Sequence, residues 1–234
     1  MNIRNKAKII NKGSLDYPKS FEDLGDNAPT VLYALGNVEL LNQGRKIAVI
    51  GSRRVSEEGY ETAYQYAKLQ VLQGNVIVSG LALGCDTAAH RGALDAGGLT
   101  IAVVGSGLDC CHPIENEGLL NDIINNDGLI LTEYELGQPA KPFRLTARCR
   151  LQAALADEIY VAECRVKSGT MRTIKWAQHL GRPIRINHLI DEKKDEDFDR
   201  SKWIPLEEAR KMTIESITQE YERIHANDKE IEED

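Results

Sequence analysis

The stretch KIAVIGSRR, residues 46–54, decides the fold of this 234-residue chain. An apolar, β-branched run is followed directly by glycine, serine and two arginines, which is the pattern of a buried strand that ends in a tight turn. Similar apolar runs recur along the chain. The predicted strands are 46–50, 76–79, 100–104, 129–132, 158–162 and 183–187.

Longer stretches with helical periodicity separate these strands. The predicted helices are 57–72, 86–96, 115–126, 147–156 and 170–180. Repeated strand–helix–strand units predict an α/β fold, in which a doubly wound, Rossmann-like and mostly parallel sheet carries helices on both faces.

The chain divides into three predicted parts. Residues 1–45 form a lead segment that packs on the core and contains one strand candidate, 31–35. Residues 46–190 form the Rossmann-like core domain. Residues 191–234 form an acidic tail, with a polar linker at 191–197 and an amphipathic helix over 205–225.

The formal net charge of −7 argues at first against a polyanionic ligand. That charge belongs to the tail, because residues 191–234 hold 16 acidic and 8 basic residues. Residues 1–190 hold 20 acidic and 21 basic residues, a net of +1. Nucleic acid is therefore not excluded as a ligand of the core.

Other classes are excluded more firmly. No apolar run is long enough to cross a bilayer, and the first residues lack the apolar centre of a signal peptide. The five cysteines are odd in number and include no CxxC pair, which disfavours a disulfide framework or a zinc site. We therefore expect a cytoplasmic protein without a metal and without membrane contact.

Four turns at the predicted carboxyl edge of the sheet combine glycine with a hydroxyl residue. Glycine lets main-chain N–H groups approach an anion, hydroxyl groups donate hydrogen bonds, and arginine adds charge. The turns predict a phosphate-bearing ligand at this edge, where open α/β sheets bind ligands. They contain Gly51, Ser52, Arg53 and Arg54; Ser79 and Gly80; Gly105, Ser106 and Gly107; and Ser168, Gly169 and Thr170.

The common cofactor motifs are absent. The first turn lacks the G-x-G-x-x-G pattern of dinucleotide-binding proteins, and no G-x-x-x-x-G-K-[ST] loop occurs. We expect no cofactor. No G-x-S-x-G nucleophile turn is present either, which argues against a serine hydrolase.

A basic stretch over 141–150 is a second candidate contact with nucleic acid. Lys141, Phe143, Arg148 and Arg150 suit a single strand, since arginines bind phosphates and an aromatic ring stacks on bases. Core packing of Phe143 is an equally good interpretation.

Three acidic or histidine side chains near the sheet edge have structural explanations. Asp86 is expected to cap a helix, and His90 to form an ordinary buried hydrogen bond. Glu163 ends the fifth predicted strand, where a structural ion pair is favoured over contact with a ribose or an arginine.

The same residues resemble the DprA/Smf family of bacterial DNA-processing proteins. The resemblance spans about residues 17–187. It is carried by PTVLYALGN (29–37), VIGSRR (49–54), IVSGLALGCD (77–86), AHRGAL (89–94), GGLTIAVVGSGLD (97–109), EY (133–134) and SGT (168–170).

The resemblance implies a Rossmann-like, non-catalytic homodimer that binds single-stranded DNA and assists a RecA-type recombinase in natural transformation. By motif, it assigns DNA contact to Ser52, Arg53, Arg54, Ser79, Gly80, Ser106 and Gly107. It also assigns Arg148 and Arg150 to an Arg-Asn-Arg element, in which Cys149 here replaces asparagine. The helix start after Ser168 departs from the family pattern by carrying Arg172.

Two other functions stay open at this point. A nucleoside-monophosphate phosphoribohydrolase of the LOG type has a related fold, but residues 166–173 lack the catalytic glutamate of its motif. A sensor of small nucleotides is also compatible with the phosphate-binding turns.

Overall fold

The computed structural model describes residues 6–165 and 168–190. The acidic tail predicted for residues 191–234, with its linker and amphipathic helix, lies outside the described residues. Within the described ranges, no helix is long and apolar enough to cross a membrane.

The strands of the described residues form one eight-stranded mixed sheet. The strands are β1 (Lys8–Asn11), β2 (Val31–Gly36), β3 (Lys46–Ile50), β4 (Val76–Ser79), β5 (Thr100–Val103), β6 (Leu129–Thr132), β7 (Glu158–Arg165) and β8 (Ile184–Ile190). Their order across the sheet is β1-β2-β6-β5-β4-β3-β7-β8. Strands β3 to β8 pair in parallel, whereas β2 pairs antiparallel with both β1 and β6.

The helices cover both faces of this sheet. They are α1 (Glu57–Leu72), α2 (Cys85–Asp95), α3 (Glu117–Asn125), α4 (Pro142–Ala147), α5 (Cys149–Leu155) and α6 (Thr170–His179). Short 3-10 helices occupy Lys19–Asn27, Val38–Leu41 and Ile114–Asn116.

Alternation along β3 shows why the sheet needs two helical layers. Ile47 and Val49 pack with residues of α1 and α2, whereas Ala48 and Ile50 pack with residues of α5 and α6. Every residue of β3 is buried, so the apolar run in the sequence reflects burial on both faces rather than the alternation of a half-exposed strand. The predicted doubly wound α/β fold is confirmed.

The main differences from the sequence-based elements concern the lead segment, the helix after β6 and the end of β7. The lead segment contributes two strands to the sheet, of which β1 was not predicted. The predicted helix 147–156 corresponds to α5, and a further short helix, α4, precedes it and meets it at Arg148. Strand β7 extends to Arg165, three residues beyond the predicted end, and thereby carries Glu163 and Arg165 to the carboxyl edge.

Candidate functional site

A groove of about 680 Å³ opens at the carboxyl edge of the sheet. Its walls are the turn after β3, helices α4 and α5, the end of β7 and the start of α6. We call it the binding groove. It brings together eight residues predicted from the sequence: Gly51, Ser52, Arg53, Arg54, Arg148, Ser168, Gly169 and Thr170.

Four exposed arginines surround the binding groove. Arg53 and Arg54 follow β3, Arg165 ends β7, and Arg172 lies in the first turn of α6. Among the described residues, none of the four forms an ion pair with a carboxylate. The rim is therefore strongly positive although the whole chain is acidic, and it suits an anionic ligand.

The floor of the binding groove is a buried ion pair. Arg148 is 5% exposed, donates from Nη1 to the carbonyl oxygen of Val103 (2.9 Å), and lies with Nη2 3.6 Å from Asp86 Oδ2. Burial raises the pKa of Asp86, and Arg148 opposes that shift. The expectation that Asp86 caps a helix is wrong, since Gly84 occupies the cap of α2 and Asp86 lies within its first turn.

Gly80 makes room for the Arg148 guanidinium. A Cβ atom on Gly80 would fall 1.4 Å from Arg148 Nη1, so any side chain would displace the arginine. Gln152 completes the floor when its amide oxygen accepts from Arg148 Nη1 (3.1 Å) and from the Gly80 N–H (3.2 Å), the orientation that gives both donors an acceptor. Gly80 thus acts through close packing.

The start of α6 forms a second wall. Thr170 Oγ1 donates to the carbonyl oxygen of Gly51 (2.9 Å), which fixes the helix against the turn after β3. Ser168 Oγ has no hydrogen-bond partner among the described residues. The positive end of the ten-residue helix faces the groove beside Arg172, an arrangement that favours a phosphate.

Most of the predicted serine donors hold the turns themselves. Ser52 Oγ donates to the carbonyl oxygen of Arg54 (2.9 Å), and Ser79 Oγ donates to that of Val49 (2.7 Å). Ser106 Oγ donates to the carbonyl oxygen of Cys110 (2.7 Å). Since each hydroxyl proton is used within the chain, these serines are not the anion donors that the sequence predicts.

The third predicted turn does not reach the binding groove. Gly105, Ser106 and Gly107 are buried beneath the segment 135–145. The Gly107 N–H donates to the carbonyl oxygen of Gln138 (2.7 Å), and a Cβ on Gly107 would meet Glu135 O at 2.3 Å. The glycines of this turn therefore permit close packing of two loops.

The residues of the basic stretch 141–150 do not lie together: some line the groove and others are exposed outside it. Arg148 forms the groove floor, whereas Lys141 is exposed and does not line the groove. Phe143 is 62% exposed, so core packing of this ring is wrong. The Arg144 guanidinium lies 4.9 Å from the Tyr134 ring centre and donates to Gln138 and to the Pro139 carbonyl oxygen.

Arg150 faces away from the binding groove. Its two terminal nitrogens donate to the Glu133 carboxylate (2.8 and 2.5 Å), and Nε donates to the carbonyl oxygen of Asn27 (2.8 Å). This arginine links α5 to the 3-10 helix Lys19–Asn27. A structural contact therefore occupies the guanidinium that the sequence assigns to DNA.

A smaller cavity of about 400 Å³ adjoins the binding groove and shares Arg53, Ala82, Leu145 and Arg148 with it. We call it the side pocket. Its remaining lining includes the exposed apolar side chains of Leu83 and Ile114, together with His112. Neither this pocket nor the groove arginine Arg165 is predicted from the sequence. The exposure of Leu83 and Ile114 beside each other in one pocket is visible only in the fold.

Metal chemistry has no support in the described part of the chain. There, no group of three or more His, Cys, Asp or Glu side chains is arranged to hold a metal ion. The adjacent Cys110 and Cys111 are free thiols, and burial raises the pKa of Cys111 to about 11, which disfavours the thiolate that metals bind. His90 is buried, with Nδ1 2.8 Å from Thr100 Oγ1, as expected for a structural histidine.

Comparison with solved structures places the fold among DNA-processing proteins. DNA processing protein A (DprA) from Streptococcus pneumoniae superposes with a TM-score of 0.72 at 34% identity, covering 92% of this chain and 69% of that chain. A Helicobacter pylori DNA processing protein A, solved to describe its single-stranded DNA binding mode, gives 0.76 at 27% identity over 93% and 96% of the two chains. A molybdenum cofactor binding protein from Rippkaea orientalis, at 0.56 and 20% identity, shares the fold alone.

Sequence comparison agrees. DNA processing protein DprA of Streptococcus pneumoniae is 43% identical over 169 residues, which are 72% of this chain and 58% of that protein. Protein Smf of Synechocystis is 36% identical over 172 residues, 72% of this chain and 43% of that protein. This chain thus spans about half the length of these relatives. The family model for DNA recombination-mediator protein A matches residues 8–221, and the chain belongs to that family, the DprA/Smf DNA-processing proteins.

Proposed function

We propose that this chain binds single-stranded DNA in the binding groove, without turning it over. The observation that carries the proposal is the ring of four exposed arginines, Arg53, Arg54, Arg165 and Arg172, none of which forms a salt bridge among the described residues. Exposed, unneutralised arginines around a groove suit repeated phosphates of a nucleic-acid backbone, to which arginine donates in pairs.

The phosphate would enter between the arginines and the start of α6. Ser168 Oγ is an unused donor there, and the helix end adds partial positive charge. Arg148 lies beneath this position and is held in place by Val103 and Asp86. The floor is therefore preorganised, whereas the rim arginines adjust to the strand.

The side pocket gives a reason for preferring a single strand. Its apolar side chains, Leu83 and Ile114, adjoin the charged groove at Arg53. A base that is not paired can turn away from its phosphate and lie on such a surface, while bases of a duplex are stacked and paired. Apolar contact discriminates little between bases, so we expect weak sequence preference.

Assembly and biological role extend the proposal by way of the relatives. The relative from Helicobacter pylori has a described single-stranded DNA binding mode. We propose that this chain, like the family, forms a homodimer and assists a RecA-type recombinase during natural transformation. We also propose a cytoplasmic location, in keeping with five free cysteines, Cys85, Cys110, Cys111, Cys149 and Cys164.

Fluorescence anisotropy with a labelled oligo-dT strand at low salt tests the proposal. Wild-type protein should bind. Arg53→Ala should weaken binding about tenfold and reduce the salt slope by about 0.7, because one phosphate contact is lost. Arg182→Ala is the matched control, since Arg182 pairs with Asp23 and lies before β8 at the opposite edge. It should bind like wild type.

Thermal shift separates DNA from small nucleotides. Only the true ligand should raise the melting temperature by mass action. Failure of the wild type to bind oligo-dT, with clear stabilisation by a nucleotide, would replace the proposal with a nucleotide sensor. Release of free adenine from AMP would instead indicate a phosphoribohydrolase.

A further inference from the structure

The turn that presents Arg53 and Arg54 is held by one residue of the neighbouring strand. We call residues 51–56 the arginine loop. At its start, the Ser52 N–H donates to the carbonyl oxygen of Glu163 in β7 (2.7 Å). The Ser52 carbonyl oxygen in turn accepts from the Cys85 N–H of α2 (3.1 Å). The main chain of the loop is therefore fixed at the point where β3 ends.

The side chain of the same glutamate fixes the other end of the loop. Glu163 is 1% exposed, and its carboxylate accepts from the Ser56 N–H (3.2 and 3.3 Å) and from Ser56 Oγ (2.5 Å). Ser56 Oγ also accepts from the Gly59 N–H (3.0 Å) as the cap of α1. His188 Nδ1 lies 3.8 Å from the carboxylate.

Gly59 allows this contact. A Cβ atom at position 59 would lie 2.6 Å from Glu163 Oε2, so the first turn of α1 is open where the carboxylate enters. The helix start, its serine cap and the buried glutamate thus form one unit. Glu163 therefore holds both ends of the arginine loop. Its main-chain carbonyl oxygen binds Ser52 at the start, and its carboxylate binds Ser56 at the end.

Between these two fixed points, Arg53 and Arg54 are the residues with exposed side chains. Ser52 is buried, whereas Arg53 and Arg54 are exposed. Fixing the main chain on both sides lowers the conformational freedom that the arginines lose on binding a strand. We propose that Glu163 is a positioning residue for single-stranded DNA binding, which acts by holding the arginine loop. This inference rests on the proposed function.

The sign of the expected effect separates positioning from simple electrostatics. A carboxylate close to a groove for a polyanion repels the ligand, so removing its charge should strengthen binding if charge alone matters. Positioning predicts the reverse. Loss of affinity on removal of an acidic residue is therefore a direct signature of the proposed role.

Oligo-dT anisotropy on three variants tests this. Glu163→Ala should weaken binding about tenfold, because both arginines lose their fixed support. Glu163→Gln keeps an oxygen that accepts from Ser56, so it should bind within about threefold of wild type. Asp157→Ala is the control with the same charge change: its carboxylate accepts from the Lys46 N–H (2.8 Å) at the opposite edge, and affinity should not change. Melting curves establish that each variant is folded at the assay temperature. If Glu163→Ala does not fold, Ser56→Ala takes its place: it removes the hydroxyl that donates to Glu163 and should likewise weaken binding.

A double-mutant cycle identifies the route of the effect. In an Arg53→Ala/Arg54→Ala background, Glu163→Ala should change affinity less than twofold, because the side chains through which it acts are gone. Unchanged or tighter binding by folded Glu163→Ala overturns the inference, as does equal weakening by Glu163→Gln. If wild-type protein binds no oligo-dT at all, the proposed function fails instead, so the two failures are distinguishable.

Discussion

Arginines at the two edges of the sheet differ in whether they form ion pairs. At the amino edge, where the parallel strands begin, Arg45 and Arg185 both contact Glu158, the first residue of β7. At the carboxyl edge, Arg53 and Arg54 extend into the binding groove and pair with no carboxylate among the described residues. Both edges are basic in sequence, yet only one leaves positive charge for a ligand.

This contrast teaches that ion pairing, rather than the number of basic residues, indicates the binding edge. Strand β7 carries a buried glutamate near each end, Glu158 and Glu163, each 1% exposed. Glu158 neutralises arginine side chains, whereas Glu163 accepts from the serine that follows the arginines. The carboxylate at the carboxyl edge therefore supports the loop without neutralising it.

The largest effect is expected at the amino edge. Glu158→Ala would leave Arg185, whose side chain is 7% exposed, without its carboxylate. Loss of one partner of a buried ion pair costs about 3–5 kcal/mol, so the free energy of unfolding should fall by that amount in urea titrations. Glu135→Ala, at an exposed position, should change it by less than about 0.5 kcal/mol. A decrease of less than about 1 kcal/mol for Glu158→Ala would mean that the ion pairs of the amino edge contribute little to stability.

A double substitution at the carboxyl edge should act on binding rather than on folding. Arg53→Ala/Arg54→Ala removes two charge-assisted contacts, so affinity for oligo-dT at low salt should fall on the order of a hundredfold. The free energy of unfolding should stay within about 0.5 kcal/mol of wild type, since both side chains are exposed. The comparison double variant, Arg45→Ala/Arg182→Ala, removes the same charge at the amino edge. Equal loss of affinity in both double variants would show that only net charge matters.

The amino edge also contains a neutral imidazole, which predicts a pH dependence of stability. His90 is fully buried beside Thr100, the first residue of β5, and burial lowers its pKa to about 3, with Arg148 acting in the same direction. The unfolded chain binds this proton below about pH 6.5, whereas the folded chain does not until about pH 3. Stability is therefore fully present above pH 6.5 and is lost as the pH falls towards 3.

The size of this effect is about 1.4 kcal/mol per pH unit within that window. Urea titrations at pH 7 and pH 5 should show that wild type loses about 2 kcal/mol more than His90→Gln, which keeps a hydrogen-bond donor but does not titrate. Parallel loss in both proteins would assign the acid sensitivity to other groups.

The sequence predicts the parallel part of the fold because burial on both faces leaves a clear pattern. All six predicted strands are present, since apolar runs such as 46–50 and 129–132 are separated by helices of ordinary length. Strand β1 escaped prediction because KIIN is four residues long and mostly exposed at a sheet edge. The break between α4 and α5 at Arg148 leaves no glycine or proline signal.

The site is predictable only in part, because residue type does not reveal hydrogen-bond partners. The arginines after β3 and the start of α6 were found from the rule that ligands bind beyond strand ends. Ser52, Ser79 and Ser106 satisfy the same rule, but their protons serve main-chain carbonyl groups. Lys141 and Phe143 are exposed, as the sequence interpretation requires, yet they do not line the groove.

Arg148 and Arg150, two residues apart, differ in the same way as the arginines of the two edges: one lines the groove, and the other is occupied by a structural ion pair. Residues two apart on a helix point in different directions, so the Arg-Cys-Arg element does not present both guanidinium groups to one groove in this structure. Arg148 enters the groove floor, while Arg150 joins α5 to the 3-10 helix Lys19–Asn27 through Glu133 and Asn27. The structure therefore gives the two arginines different contacts, which the resemblance alone does not distinguish.

The smallest effect on DNA binding is therefore expected at Arg150. Arg150→Ala removes a bidentate, partly buried pair, so the free energy of unfolding should fall by about 1–2 kcal/mol, while affinity for oligo-dT stays within twofold of wild type. Arg150→Lys keeps the charge but not the paired geometry, and should recover little of the lost stability. A tenfold loss of affinity in Arg150→Ala, with an unchanged free energy of unfolding, would mean that Arg150 contacts DNA directly. Helix α5 would then have to turn when DNA binds. Because Glu133 already occupies both terminal nitrogens, that turn would have to break the ion pair first, and the cost of breaking it would appear as weaker binding by the wild type itself.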